Sequence, residues 1–229
     1  PIDDFFKFDQ KALVSATPIE LNDPRFKEQN FQTIEIQPTF DYKKEIWLHH
    51  TNNTLQAFKN VLSKLNNEEA APLPICVFIN STDIIYSLMK QLDLLEESAV
   101  FCAPKSVDKL KKNRFCNVYE QWNKDKMKRY NFFTSRFFNA VDMELEEQPH
   151  VIMLTDVYFA EHTMIDPYTD AIQIVGRFRN GVSSITYISN TKKGLPQRSK
   201  EEIKGYLICS KEIYRTMKNF YDCATDRAS

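Results

Sequence analysis

Glycine is scarce in this chain of 229 residues, which contains only four glycines. At an average usage of about 7%, a chain of this length would hold roughly sixteen. A phosphate-binding loop needs several glycines close together, because backbone N–H groups must approach the anion without a Cβ atom in the way. Only Gly176 and Gly181 have the five-residue offset of such a loop, and the string between them lacks the lysine that reaches the phosphates. The sequence therefore contains neither a Walker A loop nor a G-x-G-x-x-G fingerprint.

The sequence also lacks an excess of one charge, paired cysteines and a long apolar run. The net charge is −1 from 30 basic and 31 acidic side chains, so nucleic-acid binding would have to rest on a local patch. The five cysteines and four histidines show no disulfide or metal-ligand spacing, which predicts no metal site and a reducing, cytoplasmic location. No run reaches the roughly 18–20 apolar residues of a membrane span, so we expect no membrane association. Pro1 in place of an initiating Met indicates a fragment or a processed product.

Short apolar runs alternate with amphipathic segments along the chain, and this alternation predicts a wound α/β domain. The run at 74–80 is apolar without interruption, which favours a strand buried on both faces of a parallel sheet. Apolar offsets of three and four predict helices, and Ser81 is a candidate N-cap. The predicted strands are residues 11–17, 31–39, 74–80, 98–103, 129–135, 150–156 and 183–189. The predicted helices are residues 55–65, 82–92, 107–114, 119–128, 169–178 and 200–221.

Polar residues that directly follow strands are the candidate site residues, because ligands of open parallel sheets bind beyond the carboxyl ends of the strands. For each serine and threonine taken singly, a simple helix cap is the alternative. The candidates are Ser15, Ala16 and Thr17, then Asn80, Ser81 and Thr82, then Thr134, Ser135 and Arg136, then Asp156, and finally Gln173 with Arg177 and Arg179.

The segment 169–181, TDAIQIVGRFRNG, is the most informative of these. Gln173 and Arg177 lie four residues apart, so a helix would hold their amide and guanidinium groups on one face. A guanidinium in that position can clamp a phosphate and neutralise the charge that develops in phosphoryl transfer. The alternative is a solvated helix whose arginines cap its end, with Gly181 as a left-handed terminator.

This segment resembles the last conserved motif of superfamily 2 (DEAD/DEAH-like) helicases, Q-x-x-G-R-x-x-R, which Gln173, Gly176 and Arg177 match. Ser15-Ala16-Thr17 resembles the S-A-T motif that closes the first RecA-like domain of that family. Residues 76–81, CVFINS, resemble the motif that opens the second domain. The four resembling motifs occur in the order of the family, over roughly residues 11 to 189.

The fourth resembling motif is FFTSRFFNAVDM, residues 132–143, which is similar to v-a-T-x-x-x-x-G-h-D with Thr134 and Asp142 at its ends. Ala140 stands where the family has glycine. The second family arginine would fall at Asn180, whereas this chain has Arg179 one residue early. On a helix, Arg179 would lie about 160° from Arg177, so it shares the site only if the helix unwinds at Asn180-Gly181. Arg177 is therefore the expected phosphate contact.

The resemblance implies a three-layer RecA-like (P-loop NTPase-type) α/β fold, with a mainly parallel sheet flanked by helices. Residues 1–30 would be the end of a first RecA-like domain and a linker, and residues 31–229 would be the second domain. ATP and Mg²⁺ would be bound mainly by an N-terminal RecA-like domain of the same full-length protein, because this chain lacks the Walker A and D-E-x-x motifs. The chain alone would then not hydrolyse ATP.

The resemblance also implies a role for each matched residue in an ATP-dependent helicase or translocase. Arg177, Arg179 and Gln173 would act on the transferred phosphate, and Asp142, Gly176 and Arg177 would contact the nucleotide. Asn80, Ser81, Thr134, Ser135 and Arg136 would bind DNA or RNA. Ser15, Ala16 and Thr17 would couple the two domains. The alternative function is a non-catalytic regulatory or interaction module on a RecA-like scaffold, which the altered arginine spacing and Ala140 motivate.

A basic stretch offers a second nucleic-acid candidate. Residues 105–130 hold nine basic and three acidic side chains, with Tyr119, Trp122 and Tyr130 interleaved for stacking on bases. The alternative is a solvated helical face with buried aromatics.

Overall fold

The computed structural model describes residues 2–15, 21–37, 39, 43–67, 72–139, 141–191, 194 and 198–225. Ala16, Thr17 and Ala140 lie outside the described residues. The chain divides into two compact units, Pro1–Thr191 and Lys192–Ser229. The expected boundary at residue 30 stays a prediction.

A parallel sheet forms the centre of the first unit. Its seven described strands are β1 (Trp47–His50), β2 (Ile75–Phe78), β3 (Ser98–Phe101), β4 (Val118–Tyr119), β5 (Tyr130–Phe133), β6 (His150–Thr155) and β7 (Ser184–Ser189). Every described pair is parallel, in the order β1-β7-β6-β2-β5-β3-β4. The apolar runs that predicted β2, β3, β5 and β6 are buried throughout. The predicted α/β fold with a mainly parallel sheet is confirmed.

Helices flank this sheet where the apolar offsets predict them. The helices of the first unit are α1 (Ile2–Phe5), α2 (Arg25–Glu28), α3 (Thr54–Asn67), α4 (Thr82–Gln91), α5 (Pro104–Lys112) and α6 (Asp170–Gly176). Single 3₁₀ turns occur at Lys124–Lys126, Ser135–Phe137 and Glu161–Thr163. The Ser81 hydroxyl accepts a hydrogen bond from the Ile84 N–H at 3.4 Å, so the predicted N-cap of α4 is confirmed.

The two faces of the sheet carry separate cores, and this arrangement positions the candidate site. Helices α3, α4 and α5, which follow β1, β2 and β3, bury residues such as Phe58 and Ile85 on one face. Helix α6 and the chain after β5 bury residues such as Phe137 and Ile174 on the other face. Strand β2 lies between β5 and β6. The chain leaves β2 toward the face that α4 covers, whereas it leaves β5 and β6 toward the opposite face, so these exit loops diverge. Such a divergence opens a crevice at the carboxyl edge of a sheet.

Two of the predicted strands are wrong. Residues 31–37 form no strand, and Ile34 and Ile36 are 82% and 88% exposed. The described residues 11–15 likewise form no strand. β-branched residues favour a strand where a partner strand and a buried face are present, and no described strand pairs with either segment. Strand β1 was not predicted, because its four exposed residues lie at the sheet edge and show no buried pattern.

The predicted helix at 119–128 is also wrong. Tyr119 ends strand β4, and the chain then forms a 3₁₀ turn in place of an α-helix. The Asn123 side chain accepts a hydrogen bond from the Asp125 N–H at 2.8 Å and so caps this turn. Such local side-chain bonds compete with helix formation.

Four aromatic side chains from either side of the first expected strand, residues 11–17, form a cluster near the N-terminus. The rings of Phe5, Phe6, Phe26 and Phe31 contact one another, with the closest centroids, those of Phe6 and Phe26, 4.9 Å apart. Phe26 is the buried member of this cluster. Short helices α1 and α2 carry two of the rings, those of Phe5 and Phe26.

The second unit consists, in its described part, of helix α7 (Lys200–Thr225). Ser199 and Glu202 form a capping box at its start: the Glu202 N–H donates to the Ser199 hydroxyl, and the Ser199 N–H donates to the Glu202 carboxylate. The predicted helix at 200–221 is thus confirmed. None of the described helices is long and apolar enough to cross a membrane.

Candidate functional site

A cleft of about 490 Å³ lies at the carboxyl edge of the sheet. Its walls come from the segments that follow β2, β3, β5 and β6, where the exit loops diverge. All five residues that the helicase resemblance assigns to nucleic acid line this cleft: Asn80, Ser81, Thr134, Ser135 and Arg136. Residues more than fifty positions apart in the sequence are therefore neighbours here.

Asn80 connects three of the segments that form the cleft. Its side-chain N–H donates to the His162 carbonyl at 3.0 Å. Its side-chain oxygen accepts the Ser135 backbone N–H at 3.3 Å. The Asn80 amide therefore ties the loop after β2 to the loops after β5 and β6. Because both ends of the amide are in use, its structural contribution is to hold the walls of the cleft at a fixed spacing.

Arg136 is an exposed cation of the cleft. The residue is exposed, and its guanidinium makes no hydrogen bond or ion pair with any residue that the structure describes. Thr134 beside it is only 8% exposed, whereas Ser135 is exposed. The first turn of α4 also faces the cleft, with Ser81 as its cap, and a helix N-terminus favours anions. Asp83 adds one negative charge there, which Lys109 partly neutralises at 2.6 Å.

A second cluster joins Asp142 to the two arginines after α6. The Asp142 carboxylate accepts a hydrogen bond from Arg177 at 3.2 Å and another from Arg179 at 2.6 Å. Phe178 lies between the arginines, is 5% exposed and pairs with Met143 in a short parallel bridge. Both arginines therefore reach the same carboxylate, one through each oxygen.

This cluster corrects the expected geometry of the arginines. Helix α6 ends at Gly176, so the chain leaves the helix before Arg177 rather than at Asn180-Gly181. Phe178 forms the bridge with Met143 directly after the helix, and the guanidiniums on either side of Phe178 both reach the Asp142 carboxylate. The separation of about 160° that an unbroken helix would impose does not occur.

The two arginines differ in how much of the guanidinium is available. Arg177 donates to the Gln173 carbonyl at 3.2 Å, to the Gln173 side chain at 3.4 Å and to the Asn139 carbonyl at 3.4 Å, besides Asp142. Its side chain is 17% exposed, against 50% for Arg179. The Arg179 guanidinium bonds to Asp142 alone among the described residues. Arg177 therefore stabilises the end of α6, and the Arg179 guanidinium has N–H groups that bond to no described residue.

The remaining predicted positions are less informative. A Cβ atom at Gly176 would meet nothing within 4 Å, so no close contact requires glycine there. Ser15 is exposed, and Ala16 and Thr17 lie outside the described residues, so the interdomain role of the three stays a prediction. Among the described residues, no three His, Cys, Asp or Glu side chains are arranged to hold a metal ion.

The basic stretch at 105–130 is only partly available for binding. Tyr130 is 5% exposed, and its hydroxyl accepts a hydrogen bond from Asn66 at 2.9 Å, so the expectation that this ring stacks on a base is wrong. Trp122 packs against the core. Lys124 pairs with Glu146 at 2.6 Å. The strand register places Tyr130 in the sheet, which a count of basic residues could not show.

The turn after β6 contains two residues whose arrangement the sequence does not reveal. Asp156 is 5% exposed and accepts the Thr54 hydroxyl at 2.6 Å and the Phe159 N–H at 3.4 Å. Phe159 lines the cleft and is 86% exposed. Asp156 was a candidate site residue because it follows a strand. The sequence did not indicate Phe159 as a site residue, because an apolar residue in that place is normally buried.

The pKa of Asp142 tests the geometry of the arginine cluster. The hydrogen bond from Arg179, assisted by the charges of Arg179 and Arg177, holds the pKa of Asp142 below its usual value. A lowered carboxyl pKa stabilises the fold above the unfolded-state pKa, and this contribution is lost as pH falls through the folded-state pKa. We expect Arg179→Ala to raise the pKa of Asp142 toward its usual value, measured by NMR titration of the side-chain carboxyl carbon.

The matched control for this titration is Lys124→Ala. It removes the hydrogen bond that lowers the pKa of Glu146 and should leave the pKa of Asp142 unchanged. An Asp142 pKa that is the same with and without Arg179 would contradict the arrangement of the cluster.

The fold and the two clusters define an α/β domain with a cleft at its carboxyl edge and an arginine–carboxylate cluster beside α6. No protein-family model and no curated protein matches the sequence. Among solved structures, the chain is similar to the C-terminal domain of the DEAD-box protein Dbp5, with 14% identity, a TM-score of 0.39, and coverage of 70% of this chain and 79% of that chain. A similarity this low assigns neither a family nor a function.

Proposed function

We propose that this chain is the C-terminal RecA-like domain of an ATP-dependent nucleic-acid helicase or translocase. The observation that supports this proposal most is the cleft, where predicted phosphate contacts from two strand exits meet together with the exposed Arg136. Hydroxyls, turn amides and arginines position a phosphate backbone without reading its sequence, so the cleft suits DNA and RNA alike. The cytoplasmic location is part of the same proposal.

We assign the second part of the proposed function, the contact with the γ-phosphate of ATP, to the arginine cluster. A phosphate from outside the chain fits at Arg179, whose side chain is half exposed and whose guanidinium bonds to Asp142 alone among the described residues. When bound between two domains, ATP supplies a γ-phosphate on which charge develops during transfer. Arg179 would stabilise that charge, while Arg177 and Gln173 would hold the end of α6 in place. Asp142 would fix the direction of both guanidiniums.

The rest of the ATP site is assigned to another domain. The sequence has no phosphate-binding loop, and the described residues offer no cluster of ligands for Mg²⁺. We therefore assign the phosphate loop and the ion to an N-terminal RecA-like domain of the same full-length protein. Residues 1–30 would be the end of that domain and the linker, with Ser15, Ala16 and Thr17 at the junction.

A short segment would couple the cleft to the arginine cluster. Thr134, Ser135 and Arg136 line the cleft, and Asp142 lies a few residues further along the same segment. Phe137 and Phe138 between them are buried in the core, so the described part of the segment is packed rather than loose. A shift of Asp142 would therefore be transmitted to the phosphate contacts.

Binding of a labelled single-stranded oligonucleotide, followed by fluorescence anisotropy at several salt concentrations, tests the proposed cleft. We expect Arg136→Gln to weaken binding for every sequence and to lower the slope of log Kd against log salt by about 0.7, because one phosphate contact is lost. Arg215→Gln is the control, since Arg215 pairs with Glu212 on its own helix. Equal affinities and slopes for Arg136→Gln and the wild type would contradict the nucleic-acid role.

A non-catalytic regulatory or interaction module is the alternative function. One observation favours it: Arg177, the arginine that matches the motif, directs its hydrogen bonds to its own chain. ATP hydrolysis by the full-length protein separates the two proposals.

A further inference from the structure

Phe159 is exposed in a position that the proposed phosphate contacts do not explain. It is 86% exposed and forms part of the lining of the cleft. Burying a phenylalanine side chain stabilises a fold by roughly 1.5–3 kcal/mol, and the exposed Phe159 ring does not contribute this free energy. Single exposed apolar residues are common on protein surfaces. The position of this ring in the same cleft as the exposed Arg136 is what raises the question of a ligand.

The turn that carries Phe159 is fixed by buried hydrogen bonds. The Asp156 side chain accepts the Phe159 N–H, and the Asp156 carbonyl accepts the Ala160 N–H at 3.0 Å. Asp156 itself is 5% exposed and is held by the Thr54 hydroxyl. On the other side of Phe159, the Thr163 hydroxyl donates to the Ala160 carbonyl at 2.8 Å and accepts the Asp156 N–H at 2.9 Å. The ring is therefore presented by an anchored turn.

The two sides of the cleft offer complementary chemistry. The segments after β2 and β5 contribute hydroxyls, a helix N-terminus and the Arg136 guanidinium, all of which suit a phosphate. The turn after β6 contributes the Phe159 ring, which suits a flat apolar group. A nucleotide has both a phosphate and a flat base. The volume of about 490 Å³ lies in the range of small-ligand sites.

We propose that Phe159 is a stacking platform for one base of a single-stranded nucleic acid, which rests on the proposed function of the cleft. The strand would be single because the faces of paired bases in a duplex are covered by their neighbours. Its phosphates would lie along Ser81, Ser135 and Arg136 while one base turns onto the ring. Stacking on an aromatic ring tolerates every base, so the platform adds affinity without sequence preference.

Two ligands separate stacking from phosphate contact. One is a labelled thymidine oligomer of about ten nucleotides, within the usual range for single-strand sites, and the other is its abasic counterpart with the same phosphates. At low salt we expect Phe159→Ala to weaken binding of the thymidine oligomer about 5- to 150-fold and to leave the abasic oligomer unaffected. Phe159→Trp should keep the affinity of the wild type. Arg136→Gln should weaken both ligands.

Tyr168→Ala is the matched control, because Tyr168 is 81% exposed but does not line the cleft. It should bind both ligands as the wild type does. A circular dichroism melt of each variant should be unchanged, since both rings are exposed.

The outcomes distinguish this inference from the proposed function. If Arg136→Gln weakens binding and Phe159→Ala does not, the platform is overturned and the nucleic-acid cleft stands. The platform is also overturned if Phe159→Ala weakens binding of the thymidine and abasic oligomers equally, or if it weakens binding of a duplex by the same factor. If the wild type binds neither oligomer, or Arg136→Gln binds both as the wild type does, the proposed function fails and the platform fails with it.

Discussion

Replacement of Arg179 by alanine in the full-length protein is expected to lower kcat for ATP hydrolysis by about 10³–10⁵-fold, the contribution of a comparable arginine in phosphoryl transfer. The expectation rests on the exposure of the Arg179 guanidinium. The Arg179 side chain is half exposed and its guanidinium makes one hydrogen bond among the described residues, so its remaining N–H groups can meet a phosphate. Because none of its contacts belongs to the cleft, nucleic-acid affinity should not change. Steady-state ATPase assays with saturating nucleic acid, together with anisotropy titrations, measure both quantities.

Arg177→Ala provides the comparison, since the family motif matches Arg177 and not Arg179. We expect this variant to lose activity as well, but with a lower melting temperature, because it removes hydrogen bonds to Gln173, Asn139 and Asp142. Arg179→Lys should recover little activity, because an ammonium cannot replace a planar, forked donor. The isolated chain should not hydrolyse ATP.

Three outcomes would contradict this assignment in different ways. Full activity in Arg179→Ala together with loss in Arg177→Ala would make Arg177 the phosphate contact. Full activity in both variants would remove the arginine cluster from catalysis. Hydrolysis by the isolated chain that is insensitive to both substitutions would indicate a site elsewhere. Lys124→Ala, which removes an exposed ion pair, is the control for a general effect of lost positive charge.

The sheet and the cleft were predictable because their signals are local and repeated. Strands β2 and β6 are uninterrupted apolar runs, and such runs are typical of strands buried on both faces. Parallel strands bring their carboxyl ends to one edge, so Asn80 and Thr134 could be expected to meet before any distance was known. The N-cap at Ser81 follows from the same local chemistry.

The arginine cluster could not be predicted because it depends on a contact that is distant in the sequence. The end of α6 at Gly176 coincides with the bridge between Met143 and Phe178, and helical spacing contains no information about that bridge. The residue pattern at 31–37 is equally typical of a strand, yet no described strand pairs with it. Propensity describes what a segment prefers, and pairing decides what it forms.

The central aromatic stack beneath the cleft carries the last prediction. Phe78, Phe133 and Phe101 are aligned across β2, β5 and β3. The ring of Phe133 stacks on Phe101 at 4.9 Å and on Phe78 at 5.0 Å, and it meets the edge of Phe137 at 5.9 Å. All four side chains are almost completely buried. Each strand continues from this layer directly into a segment that lines the cleft or adjoins it.

We expect Phe133→Ala to lower the free energy of unfolding by about 3–5 kcal/mol, because it removes a buried ring and leaves a cavity at the centre of this stack. Urea unfolding followed by tryptophan fluorescence measures this cost. Trp47 and Trp122 are the only tryptophans in the sequence, and both belong to the first unit, so the signal does not depend on α7. An unchanged m-value would show that the cost lies in the folded core rather than in the unfolded chain.

Phe8→Ala is the control for this substitution, since Phe8 is 63% exposed and its loss should change stability by less than about 0.5 kcal/mol. Phe133→Leu should fall between the two, because leucine fills part of the cavity. Since Thr134 follows Phe133 directly, Phe133→Ala should also bind the thymidine oligomer more weakly. This affinity is measured without urea, where the variant remains folded. A cost for Phe133→Ala no larger than that for Phe8→Ala would mean that the stack does not support the floor of the cleft.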